Sequence, residues 1–158
     1  MRKLKLYLDT STISYLFAED TPEKMEDTNR FWDDVISNKY DIFISSVVID
    51  ELENCSEPKQ SQMFEKLNQV QFQVLERTDE VSHLAKEYIT GGVLKEKSLA
   101  DCLHIAHAVV YDCDVIVSWN FKHLVNYKTI NKVKIVNAIN NYREISIINP
   151  TMLLEEVD

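Results

Sequence analysis

Glycine is almost missing from this chain: there are two, Gly91 and Gly92, side by side. That excludes a G-x-G-x-x-G dinucleotide loop, a Walker phosphate loop and a G-x-S-x-G nucleophile elbow, each of which needs glycines at fixed separations. The nucleotide-binding and serine-hydrolase versions of an α/β protein are thereby removed. Cysteine is scarce too. Cys55, Cys102 and Cys113 are scattered, odd in number and form no C-x-x-C pair, which fits a reducing compartment rather than a disulfide scaffold. No apolar run approaches the roughly 20 residues needed to span a bilayer, and the stretch after Met1 is too short for a signal-peptide core. A cytoplasmic protein with no membrane partner is expected. Basic residues are outnumbered, 17 against 26 acidic, for a formal charge of −9. That is the wrong sign for a plain nucleic-acid binder.

What the chain does contain is an alternation of short apolar runs and amphipathic stretches. Its 158 residues suffice for one domain with a full core. Residues 4–8 read as a strand and 11–17 as a short helix. Thr21-Pro22-Glu23 starts another helix, with proline at the first helical position and Phe31, Trp32, Val35 and Ile36 on its apolar side. A strand over 42–45, helices over 46–55 and from Pro58, and an alternating strand over 70–75 follow. A helix over 79–90 stops at Gly91-Gly92. The clearest helix runs from Ser98 to Asp112 and leads into the most apolar strand, 114–118. A helix near 131–142 and a strand near 145–148 complete the series. The pattern predicts one α/β domain over residues 1–158, a mostly parallel central sheet flanked by helices.

Parallel strands collect their carboxyl ends on one edge, where α/β proteins build their sites. Asp9 follows the first strand. Glu51 lies in the first turns of the helix leaving the second. Asp101 opens the helix that runs into strand 114–118, and Asn120 follows that strand. Three carboxylates and an amide in one cleft suit a hard divalent cation such as Mg²⁺. Ser11 is spaced to hydrogen-bond Asp9. Charge is also uneven. Lys122, Lys128, Lys132, Lys134 and Arg143 stand between Val115 and Arg143 with no acid among them, leaving twelve basic residues against all 26 acids elsewhere. Such a segment can guide a polyanion towards the carboxylates. A solvated basic helix accounts for it equally well.

Four segments in order carry a resemblance: Leu8-Asp-Thr-Ser11, Val47-Val-Ile-Asp-Glu-Leu52, Ser98-Leu-Ala-Asp-Cys-Leu-His-Ile-Ala106 and Val115-Ile-Val-Ser-Trp-Asn-Phe-Lys-His-Leu124. They resemble the PIN-domain nucleases, many of which are VapC-like toxins of toxin–antitoxin pairs. The family's acidic residues fall on Asp9, Glu51 and Asp101. Its last site, often aspartate, falls on Asn120, and the hydroxyl before it on Ser118. The resemblance implies a ribonuclease dependent on Mg²⁺ or Mn²⁺, with an RNA substrate, a protein antitoxin and a homodimeric state. In-line attack would leave a 5′-phosphate and a 3′-hydroxyl. Asn120 brings an oxygen without charge, so one of two ions should be held more weakly than by aspartate. Lys122, His104 and Trp119 are candidates to touch substrate, Trp119 by stacking on an unpaired base.

Each residue also has a plainer explanation. Asp9 can end a strand, and Asn120 can cap a turn. Ser98-Leu-Ala-Asp101 matches a capping box. Asp50 and Glu53 beside Glu51 are expected in solvent. Cys102, His104 and His107 leave a zinc site open, but on a helical wheel the histidines fall opposite Cys102 and the apolar side, which places both at the surface. Trp119 can be rim packing. Two other functions stay open. One is a PIN-like scaffold that binds RNA or a partner without cleaving it. The other is a metal-binding adhesion module, weakened because Ile13 stands where D-x-S-x-S needs serine. A D-x-D phosphatase is disfavoured by Ser11.

Overall fold

The computed structural model describes residues 2–155. Its strands are β1 (Lys5–Leu8), β2 (Asp41–Ser45), β3 (Phe72–Leu75), β4 (Val115–Val117) and β5 (Ser146–Ile148). They form one sheet in the order β3-β2-β1-β4-β5, and every neighbouring pair is parallel. The expectation of a mostly parallel sheet is met by a wholly parallel one. β1 sits at the centre, with Tyr7 opposite both Phe43 and Ile116. Leu6, Tyr7 and Leu8 are fully buried. A central strand covered on both faces reads as a continuous apolar run, as this one does.

The helices are α1 (Thr10–Ser14), α2 (Pro22–Ile36), α3 (Ser46–Glu53), α4 (Lys59–Asn68), α5 (Asp79–Thr90), α6 (Leu99–Val110) and α7 (Tyr127–Ile139). Their ends are set locally. Asp9 accepts from the Thr12 N–H at the start of α1, Ser45 from Val47 at α3 and Thr78 from Val81 at α5. After α5 the chain turns at Gly92, whose φ of +76° suits glycine. The Val93 N–H reaches the Tyr88 carbonyl and the Gly92 N–H that of Ile89, the paired bonds of a Schellman turn.

Four local expectations need correction. α7 begins at Tyr127 rather than near 131, because the Asn126 side chain caps it by accepting from the Thr129 N–H. Ile36 is not core: as the last residue of α2 it is 45% exposed, while Phe31, Trp32 and Val35 are buried. The capping box at Ser98 does not form. A 3-10 turn over Glu96–Ser98 runs directly into α6, and the Ser98 side chain makes no cap bond. The largest correction concerns α6. It packs against α5, α3 and two strands. Every residue from Cys102 to Val109 is buried, His104 and His107 included. A helix enclosed on all sides has no solvent to offer its polar stripe.

Candidate active site

Connectivity places Asp9, Glu51, Asp101 and Asn120 at the carboxyl edge of the sheet. Asp9 ends β1, Glu51 is in α3 after β2, Asp101 is in the first turn of α6, and Asn120 lies beyond β4. Asp9 is buried under a set of donors. Ser11 Oγ donates to its Oδ1 at 2.7 Å and Ser118 Oγ to its Oδ2 at 2.5 Å. The Thr12 N–H also reaches Oδ1, at 3.2 Å. Both serine hydroxyls accept a backbone N–H in turn, Ser11 from Trp119 and Ser118 from Asn120. Those bonds turn the hydroxyl protons onto Asp9. The two supporting hydroxyls expected from sequence are therefore in contact with the carboxylate, Ser11 from the first turn of α1 and Ser118 from the residue after β4.

Glu51 is held differently. Its Oε1 accepts from Thr10 Oγ1 at 3.0 Å and lies 2.6 Å from His104 Nε2. The other ring nitrogen of His104 is 2.6 Å from the Tyr7 hydroxyl, which is 2.8 Å from Ser45 Oγ. A buried chain thus runs Ser45–Tyr7–His104–Glu51 through the sheet into the site. Asp101 is paired as well: its Oδ2 is 2.7 Å from His123 Nδ1. His123 carried no usable sequence signal, yet its N–H is the one that the Asn120 side-chain oxygen accepts, at 2.9 Å. Asn120 therefore caps its own turn, as its plainer explanation held, and makes no hydrogen bond to the carboxylates.

The charges act on one another. Burial opposes protonation of His104, but the Glu51 hydrogen bond and the charges of Asp9, Glu51 and Asp101 overcome it and raise its pKa. All three carboxylates are thus near enough to act on a single imidazole. Burial also works against the Glu51 carboxylate, and there the His104 bond and charge and the Thr10 bond win, holding its pKa down. At Asp9 burial prevails over His104 and the hydroxyl donors, and its pKa is raised. Asp9 is a buried carboxyl short of compensating positive charge.

Other expected residues stand further off. Trp119 is buried, with its indole N–H on Thr28 Oγ1 at 2.8 Å and its ring stacked on Tyr15. It is packing, not an open platform for a base. His104 is 2% exposed and bonded at both ring nitrogens, so it supports Glu51 and does not face solvent. No zinc site forms at α6: His107 Nδ1 donates to the Leu103 carbonyl, and burial lowers its pKa. Lys122 is exposed beside His123. Asp50 and Glu53 are exposed as expected. Of the residues not singled out from sequence, Tyr7 had a signal: it is two before Asp9 along extended backbone, so the pair shares a face. His104, a candidate for substrate contact, is three after Asp101 on α6 and shares its face, but it holds Glu51 instead.

A divalent cation can be tested against these donors. Among the described residues, no three His, Cys, Asp or Glu side chains stand in a ready-made metal-holding arrangement. The donor chemistry nevertheless fits. Asp9 Oδ2 accepts one hydrogen bond, while Glu51 Oε2 and Asp101 Oδ1 accept none from the described residues. Three hard carboxylate oxygens are left with lone pairs to give, and one belongs to a buried carboxyl that lacks a counter-charge.

The family model of the PIN domain matches residues 6–122. The chain belongs to the PIN domain family. No curated protein matches it. Among solved structures it is similar to VapBC2 from Rickettsia felis bound to a DNA fragment from their promoter, at 18% identity and a TM-score of 0.54, covering 92% of this chain and 98% of that one. It is also similar to VapC20 of Mycobacterium tuberculosis, a sarcin-ricin loop cleaving toxin, at 16% identity and a TM-score of 0.56, covering 75% and 92%. At such identities the likeness is one of fold.

Proposed function

We propose that this protein is a divalent-metal-dependent endoribonuclease, the toxin of a toxin–antitoxin pair. One observation carries the reading. Asp9 after β1, Glu51 in α3 and Asp101 in α6 come together at the carboxyl edge of a PIN sheet, and each keeps an oxygen lone pair open. Asp9, Glu51 and Asp101 would hold Mg²⁺ or Mn²⁺, with Asn120 a weaker contributor because its one side-chain oxygen already accepts from His123. Such an ion, once bound, neutralises phosphate charge and lowers the pKa of water.

The chain's own groups prepare the site. Ser11 and Ser118 keep protons aimed at Asp9 and favour its ionised form. His104 fixes one oxygen of Glu51 and leaves the other free. His123 does the same for Asp101. Lys122, exposed beside His123, offers a cation to the RNA backbone. A protein antitoxin, a homodimeric state and a cytoplasmic setting belong to the same reading. The antitoxin is supported by the VapBC fold likeness; among the described residues no helix is long and apolar enough to cross a membrane.

A scaffold that binds RNA without cutting it is favoured by one feature: the Asn120 oxygen is spent on its own turn. A labelled single-stranded RNA separates the two readings. Incubation with Mn²⁺ or Mg²⁺ is expected to give fragments with 5′-phosphates, and excess chelator to stop the reaction. Binding without any cleavage in either metal would leave the scaffold reading standing.

A further inference from the structure

Beside the carboxylates lies a cleft of about 830 Å³, walled by the α5–α6 connection on one side and by the segment from Lys122 through the first turns of α7 on the other. Lys95 and Lys97 line one wall; Lys122, Lys128 and Lys132 line the other. Glu96 is the one acid among the lining residues. None of the five lysines forms an ion pair among the described residues. A chain of net charge −9 therefore concentrates five uncompensated cations in one concave surface. The basic residues that sequence grouped along 115–143 acquire two partners, Lys95 and Lys97, from a segment more than twenty residues earlier. The two ends of the sequence-level patch do not join them: Lys134 pairs with Glu144, and Arg143 with Asp112 and Asp114.

The cleft also touches the site. His123 lines it and, through Nδ1, holds Asp101. We infer that this cleft carries the phosphate backbone of the RNA strand on one side of the cleaved bond, bound by Lys95, Lys97, Lys122 and Lys128. The inference rests on the ribonuclease reading and adds to it the path of the strand and its asymmetry. Lys132 is set apart, because its Nζ donates to the Gly92 carbonyl at 3.0 Å and braces the wall. α3 follows β2, across β1 from β4, and its Asp50 and Glu53 are exposed, so the surface on that side carries negative charge that repels a polyanion. The strand is therefore gripped on the lysine side only.

The test is an anisotropy titration of a labelled single-stranded RNA in chelator, so that nothing is cut, repeated at several salt concentrations. The variant is the triple substitution Lys95→Gln, Lys97→Gln, Lys128→Gln, all at exposed positions. Three lost phosphate contacts are expected to make the slope of log affinity against log salt shallower by about 2, and to weaken binding at low salt by roughly tenfold or more. Unchanged affinity and slope would overturn the cleft assignment while leaving the nuclease reading intact. Loss of binding to an acidic peptide, with RNA binding unchanged, would reassign the cleft to a protein partner. If wild type binds RNA through these lysines yet never cleaves it with Mn²⁺, the cleft stands and the ribonuclease reading falls. If wild type binds no RNA, both fall.

Discussion

His104 is the residue on which the site turns. It is buried, yet its neighbours favour its charge, because it is hydrogen-bonded to Glu51 and lies in the field of Asp9 and Asp101. Removing it by His104→Leu would leave Glu51 tethered only by Thr10 and the Tyr7 hydroxyl without its ring partner. Groups that orient a metal-binding carboxylate typically contribute 10- to 100-fold, so Mn²⁺-dependent cleavage is expected to fall by about that factor. Circular dichroism would establish that the variant folds, and a wild-type rate in a folded His104→Leu protein would deny the role. The same residue sets a pH dependence. A histidine pKa raised by folding contributes stability that is complete below the ordinary value of about 6.5 and is lost as pH rises through the folded value. Glu51, with a lowered pKa, contributes above its ordinary range and loses that contribution in acid. The pair is therefore strongest between the two. Urea midpoints measured in chelator should fall from neutral to alkaline pH in wild type, and fall less in His104→Gln.

At the scale of elements, the strands and most helices were legible because each obeys one period. β1, β2 and β4 are apolar runs ended by polar residues, and α5 runs from a threonine cap to a glycine stop. α6 was legible as a helix but not in its surroundings. Its two histidines lie away from the apolar stripe, and only packing against α5, α3 and the sheet makes that side interior. His104 is tolerated there because Tyr7 and Glu51 satisfy it, and these come from sequence positions 97 and 53 residues away. No local pattern announces such partners. Asp114 is another long-range device. It accepts from the Lys5 N–H at 2.8 Å and pairs with Arg2 and Arg143, tying the starts of β1 and β4 together. Burial works against its charge, but the Lys5 N–H and the two arginines hold its carboxyl down at about 2. Its contribution is thus present above the ordinary aspartate range and disappears as pH falls towards that value. Asp114→Asn should lower the melting temperature at neutral pH, with the gap to wild type closing in strong acid. A gap independent of pH would mean that the charge is not what matters.

For the whole molecule, the parallel sheet is what makes four distant residues neighbours. Strand order β3-β2-β1-β4-β5 places β1 between β2 and β4, so the segments that carry Asp9, Glu51 and Asn120 leave adjacent strands on one edge. Asp101 joins them because α6 must start at that edge to feed β4. The acids could be read from sequence for this reason. Their partners could not, nor could the lysine cleft, whose walls come from two separate segments. The central claim is that Asp101 acts as a carboxylate in metal-dependent RNA cleavage rather than as a helix-end residue. Ser98 makes no cap bond, and Asp101 holds His123 through Oδ2 alone, which leaves Oδ1 without a hydrogen bond from the described residues and open for that use. The direct measurement is the Mn²⁺-dependent cleavage rate of a labelled RNA by wild type and by a folded Asp101→Asn protein. Wild type should cleave, with the variant slower by at least about 100-fold, since an amide cannot replace the carboxylate's charge on the ion. Equal rates in the two proteins, or no cleavage by wild type at any Mn²⁺ concentration, would contradict the account.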